Sequence, residues 1–139
     1  MNKFIILLFA SAFAVLTACK KEDSAPAINL FATINSMQQV PTNSSTATGT
    51  FTGTYSSSTN QLKYTFTYQG FTPTEIYLCL GTPGNNGRKV VLFSELTSPM
   101  TGTVTLPADQ ANQLLNNGMY VIMNSTAQPN GEIRGDIHR

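Results

Sequence analysis

The chain has 139 residues, of which 41% are hydrophobic and only 11% are charged, and its formal net charge is +1. So small a charge provides no basic patch large enough to bind nucleic acid, and no polybasic arm that would attract anionic lipid. A chain of this length can build one domain around one hydrophobic core.

The first 18 residues have the layout of a secretory signal. Lys3 gives a positive start, an apolar run follows, and small residues precede Cys19. The apolar run is shorter than the roughly 20 residues that a membrane-spanning helix needs. The segment Leu16–Cys19 resembles the lipobox of bacterial lipoproteins, in which the chain is cut before the cysteine and the cysteine is then acylated. We therefore predict a lipoprotein signal peptide at residues 1–18 and lipidation of Cys19, the alternative being an ordinary signal peptide cut at another small residue.

Residues 19–27 read CKKEDSAPA, which is charged at first and then small and proline-containing, without apolar periodicity. This composition predicts a flexible tether between a membrane and a folded domain. We therefore expect a lipid-anchored protein of the bacterial cell envelope, held at the outer membrane and facing either the periplasm or the cell surface. Acylation of Cys19 would leave Cys79, the second of the chain's two cysteines, without a disulfide partner in the chain.

Residues 28–139 begin with three segments that alternate as half-buried β-strands do. In the third segment, QLKYTFTYQ, Leu62 and Phe66 fall on one face, whereas Lys63 and Thr65 fall on the other. The same alternation predicts strands in the two segments that precede it, INLFATI and TGTFTGTY.

Three further strands are predicted in the middle of the chain. EIYLCL places Ile76 and Leu78 on one face and Tyr77 and Cys79 on the other. The turn segment TPGNNG separates it from RKVVLFSE, residues 88–95, whose continuous apolar run favours a central strand. MTGTVTL, which alternates again, is the third of these strands.

One segment near the end of the chain has a helical pattern. In LPADQANQLLNNG, Pro107 suits a first turn, Leu114 and Leu115 can pack inward, and Gly118 can end the helix. A short helix is therefore predicted at about residues 107–117. MYVIMNS and GEIRGDIHR, joined by the turn TAQPNG, are the last two predicted strands. About seven or eight short strands with one helical crossing predict an all-β fold, an antiparallel sandwich or barrel.

Four segments carry a family resemblance: FATINSMQQVPTNSSTATGTFTGTY, LKYTFTYQGF, GTPGNNGRKVV and GMYVIMNSTAQPNGEIRGDI. Together they resemble the CHRD domain, the module that is named from chordin and is common in bacterial envelope proteins. The last segment, with its Tyr120-Val121 step and the run Gly131–Gly135, is the most specific. The resemblance covers about residues 29–137 and implies an immunoglobulin-like β fold. Because the activity of the family is poorly defined, it implies a fold more than a function.

Three positions depart from the pattern that the resemblance implies. CHRD domains usually carry a His-x-His pair where this chain has Tyr77 and Cys79, and a further histidine where it has Asn124. Two imidazoles on one face of a strand suit zinc or copper. This chain has one histidine, His138, so we expect no metal and no cofactor. The alternative is an altered ligand pocket formed by Tyr77, Cys79 and Asn124.

Cys79 itself is predicted to be a packed, unreactive thiol. A free cysteine behaves as a small hydrophobic residue in a core. No lysine, arginine or histidine lies within four residues of Cys79 to lower the pKa of its thiol. The competing interpretation keeps the same thiol as a ligand of the altered pocket.

Three charged residues, Glu132, Arg134 and Asp136, alternate along the last predicted strand and therefore share a face. We predict that Arg134 is partly buried and bridges the two carboxylates and nearby carbonyl groups, as the planar guanidinium fork allows. The glycines on either side of this arginine would let another segment pass over it. The alternative is an exposed recognition patch.

The chain carries no pattern of residues that predicts catalysis. It has no Gly-x-Ser-x-Gly elbow, and its single histidine argues against a catalytic triad. We therefore predict a non-enzymatic envelope module that binds a protein or a glycan through its loops, with the membrane as its second partner through Cys19. A metal-binding or redox envelope protein with the altered site is the alternative, and a small hydrolase is the third hypothesis.

Overall fold

The computed structural model describes residues 25–139. In this range the chain forms eight β-strands, one α-helix and a 3-10 turn at Ser36–Gln38, so that the predicted all-β fold with one short helix is confirmed. The predicted signal peptide, Cys19 and the first part of the predicted tether lie outside the described residues. The elements are β1 (Ile28–Asn35), β2 (Thr48–Ser56), β3 (Gln61–Gln69), β4 (Glu75–Leu80), β5 (Lys89–Phe93), β6 (Met100–Thr105), α1 (Ala108–Leu115), β7 (Met119–Asn124) and β8 (Ile133–Asp136).

The strands form one curled antiparallel sheet in the order β5-β4-β7-β8-β1-β2-β3-β6. We call β1, β2, β3 and β6 the open half, and β4, β5, β7 and β8 the covered half. The halves join at β8 and β1, which pair at Asn35 and Arg134. Curling brings their inner faces together, since the ring centroids of Phe66 in β3 and Phe93 in β5 lie 5.0 Å apart. The hydrophobic core fills the space between them.

The strands of the open half bury only one face. The predicted faces of β3 are confirmed: Leu62 and Phe66 are fully buried, whereas Lys63 is exposed. On the outer face the register sets Thr50 opposite Thr67, and their hydroxyls hydrogen-bond at 2.5 Å. Regular alternation therefore gives this half a polar outer surface that is rich in threonine.

In the covered half, β4, β7 and β8 bury side chains on both faces. All six residues of β7 are buried, because loops cover the face that points away from the core. The apolar run at residues 88–95 predicts a central strand, but this prediction is wrong: β5 lies at the edge of the sheet. Its apolar residues lie in different environments: Phe93 packs in the core, whereas Leu92 is 61% exposed.

The helix α1 lies within the predicted segment of residues 107–117. It buries Ala111 and Leu114 against the core, and the backbone N–H of Gly118 closes its end on the carbonyl of Gln113 at 2.8 Å. Within residues 25–139, no helix has the length and apolar character that a membrane crossing requires.

Candidate functional site

The outward face of the covered half carries a polar layer, by which we mean the polar side chains of β4, β7 and β8, with the adjoining Glu132, that loops cover. The alternation of β8 explains its place: Ile133 and Ile137 point into the core, so that Arg134 and its neighbours point the other way. Buried polar groups need partners, and the partners found here show what the layer does.

Arg134 lies at the centre of this layer and is completely buried. Its Nε and Nη2 atoms lie 2.9 and 2.7 Å from Oδ1 of Asp136. The guanidinium also donates to the carbonyls of Asn85 and Thr82, at 3.1 and 3.2 Å, and lies 3.6 Å from the centroid of the Tyr120 ring. We expected a partly buried arginine that bonds carbonyls and an acidic partner, and the structure gives that arrangement with no part of the side chain exposed.

The segment over Arg134 is the glycine-rich loop between β4 and β5, residues 81–88. Gly81 and Gly84 have φ values of +152° and +80°, which side chains rarely adopt. A Cβ atom at Gly87 would lie 1.6 Å from the carbonyl oxygen of Leu80. The glycines therefore let the loop lie flat against the sheet and present its carbonyls to the guanidinium.

Glu132 belongs to a separate set of contacts. Its two carboxylate oxygens accept hydrogen bonds from the hydroxyls of Ser45 and Ser125, the second at 2.5 Å. The expectation that Arg134 bridges both carboxylates is therefore wrong, since only Asp136 binds it. Glu132 precedes β8 and lies where the loop before β2 meets the turn after β7. Its two hydrogen bonds link that loop to that turn.

The structure brings Tyr77, Cys79 and Asn124 to the same face, and it adds a residue that sequence reasoning missed. Glu75 accepts a hydrogen bond from the Tyr77 hydroxyl at 2.8 Å and another from Nδ2 of Asn124 at 3.0 Å. Both hydrogen bonds lower the pKa of Glu75, and the bond from Tyr77 has the larger effect. The bond between Glu75 and Tyr77 also raises the pKa of Tyr77. Alternation along β4 puts Glu75 on the face of Tyr77, which the sequence could have indicated, but its pairing with Asn124 depends on the register of β4 and β7.

Cys79 is 1% exposed and packs with Tyr120 and Ile122. Burial raises the pKa of its thiol, so the thiol is protonated at neutral pH. Tyr77, whose pKa is also raised, keeps its proton as well. A zinc or copper ion here would have to displace both protons, since the thiolate and phenolate are the forms that bind metal strongly, and the raised pKa values make that loss more costly. Across residues 25–139, no three histidine, cysteine, aspartate or glutamate side chains cluster in a way that could hold a metal ion.

Comparison with known proteins gives one match. Residues 30–137 match the family model of the CHRD domain, nearly the same range as the resemblance found in the sequence. No curated protein and no solved structure shows a significant match to the chain.

Proposed function

The chain belongs to the CHRD-domain family, and from this premise we propose that it is a lipid-anchored, non-enzymatic binding module of the bacterial cell envelope. A CHRD domain indicates an extracellular or secreted module of the binding type. The lipobox-like segment Leu16–Cys19 and the tether at residues 19–27 support anchoring by a lipid on Cys19. Its partners are the membrane, through that lipid, and an envelope protein or glycan.

One observation carries the non-enzymatic part of the proposal: the ionisable groups of the polar layer hold the fold together. Arg134 and Asp136 are paired, Glu132 is bound by two serines, and the thiol of Cys79 is buried with a raised pKa. A general acid, general base or nucleophile must reach its substrate with the required proton state. Groups so engaged serve structure, which leaves the loops and open faces for binding.

The anchoring is tested with Cys19→Ser. The substitution removes the sulfur that would be acylated. It should therefore abolish palmitate labelling and leave the protein either unprocessed or released from the membrane. Metabolic labelling and detergent partitioning measure both effects. A variant that still partitions into detergent as a palmitate-labelled mature form would contradict the proposal. Cys79→Ser is the matched control, and it should keep the label.

A further inference from the structure

At one end of the covered half, a hollow of about 280 Å³ lies between the segment that follows the 3-10 turn and the turn that precedes β8. Both walls are loops, and neither edge strand of the sheet, β5 or β6, contributes to it. Its lining includes Gln39, Val40, Pro41, Asn43, Gln128 and Asn130.

Gln39 is the feature that points to a ligand. The residue is only 5% exposed, and its Nε2 atom is buried without a hydrogen-bond partner among the described residues. A buried donor without an acceptor carries the full desolvation penalty of the amide group. The chain nevertheless keeps room for it, because Gly131 has a φ of +133° and a Cβ atom there would lie 2.5 Å from this nitrogen. The amide therefore lies at the wall of the hollow with an unpartnered donor.

The walls of the hollow are fixed before any ligand arrives. Nδ2 of Asn43 donates to the carbonyls of Gly131 and Glu132, each at 3.0 Å, which ties one wall to the other. The carboxylate of Glu132 then joins the same two connections through serine hydroxyls. From the glycine-rich loop, Nδ2 of Asn86 donates to the carbonyl of Val40 at 2.7 Å. A site fixed in this way loses little conformational entropy on binding.

The lining also indicates the chemistry of the ligand. None of the side chains around the hollow is charged, so a neutral ligand suits it better than an anion or a cation. The carboxamides of Gln39, Gln128 and Asn130 offer donors and acceptors, whereas Val40 and Pro41 form an apolar surface. A sugar ring has matching features, since each hydroxyl both donates and accepts and its C–H groups form apolar patches. An extended peptide would instead seek a strand edge or an apolar groove.

We propose that this amide-lined pocket binds a single sugar unit of a neutral glycan. Its volume lies just below the range of about 300–1,000 Å³ of pockets that enclose drug-sized ligands, which suits one ring with its neighbours in solvent. The proposal rests on the proposed function of a binding module, and it selects the glycan over the protein as the partner of this pocket.

The test uses the full-length lipidated protein in mild detergent and three neutral probes, N-acetylchitotetraose, cellotetraose and mannotetraose, with tetragalacturonic acid as a charged comparison. Titration calorimetry is expected to show binding of at least one neutral probe and weaker binding of the charged one. Gln39→Leu and Asn130→Ala should each weaken that binding by about tenfold or more, because each removes a hydrogen-bonding amide. Gln61→Leu, which removes an exposed amide on the open half, is the matched control and should bind as the wild type does.

The melting temperature separates a binding role of Gln39 from a structural one. Removing an unpartnered donor should leave the melting temperature of Gln39→Leu unchanged or raise it, while binding falls. If Gln39→Leu does not fold, the exposed Asn130→Ala decides. The proposal is overturned if none of the neutral probes binds, or if both variants bind as the wild type does. That result would leave the proposed anchoring untouched, because Cys19→Ser tests it separately.

Discussion

The two halves of the sheet treat their second face in opposite ways. In the open half, β2 alternates between exposed and buried residues along its length, and its outer threonines meet water. In the covered half, all six residues of β7 are buried, because loops fold over the outer face. The comparison shows that a polar side chain at an outward position is solvated in one half and covered in the other, where it bonds to protein groups or, like Oδ1 of Asn124, is left without a partner.

Lys63 and Arg134 show this difference for two cations, each on a strand and each pointing away from the core. Lys63 stands among threonines on the exposed face of β3, where ion pairs and hydrogen bonds contribute little against water. Arg134 has no exposed surface and binds Asp136, the carbonyls of the glycine-rich loop and the Tyr120 ring. Arg134 is therefore expected to contribute to stability and Lys63 is not.

The largest effect is expected from Arg134→Met, which keeps the length of the side chain but removes the charge. Asp136 would lose its ion pair and the loop carbonyls would lose their donors, so that the free energy of unfolding should fall by about 3–5 kcal/mol. Urea denaturation followed by circular dichroism measures this change. A loss below about 1 kcal/mol would mean that the loop holds its place without the arginine.

A smaller effect is expected from Cys79→Ala, which removes a small buried side chain beneath Tyr120. The cost should be on the order of 1 kcal/mol. In the native protein the thiol of Cys79 should react slowly with iodoacetamide, because it is 1% exposed and burial raises its pKa. It should react fast after denaturation. Rapid alkylation of the native protein, or stoichiometric zinc or copper that the substitution abolishes, would favour the altered ligand pocket instead.

The smallest effect is expected from Tyr77→Phe, and it depends on pH. The pKa of Glu75 is lowered in the folded protein, first by the hydrogen bond from Tyr77. Its contribution to stability is therefore complete above the ordinary pKa of about 4.5 and is lost as the pH falls through the lower folded value. In Tyr77→Phe this acid loss should be smaller, because the pKa of Glu75 returns toward its ordinary value.

The measurement for Tyr77→Phe is the free energy of unfolding from about pH 6 to about pH 3, the range in which glutamate titrates. The control is Tyr55→Phe, whose hydroxyl donates to the uncharged amide of Asn60 at 3.0 Å, so that its loss should not vary with pH. Parallel pH profiles for the wild type and Tyr77→Phe would show that this hydrogen bond does not control Glu75.

Sequence alternation predicted the open half well, since each residue's environment there follows from its own strand. The covered half depends on contacts between distant segments, which leave little local trace. The bond between Glu75 and Asn124 joins residues 49 positions apart, and the edge position of β5 depends on which strand pairs with β4. The sequence nevertheless predicts partial burial of Arg134, because the flanking glycines indicate that another segment passes close over it. Nothing local marked the unpartnered amide of Gln39.

The central claim is that the fixed fork of Arg134 holds the loop over the covered half, and Arg134→Lys tests it most directly because it keeps the charge and removes the fork. The melting temperature of this variant is compared with that of Lys63→Ala on the open face. With roughly 4 °C for each kcal/mol in a domain of this size, Arg134→Lys should lower it by about 8 °C or more, and Lys63→Ala should leave it within about 2 °C of the wild type. Equal and small shifts in the two variants would contradict the account, because Arg134 would then be no more than a surface charge.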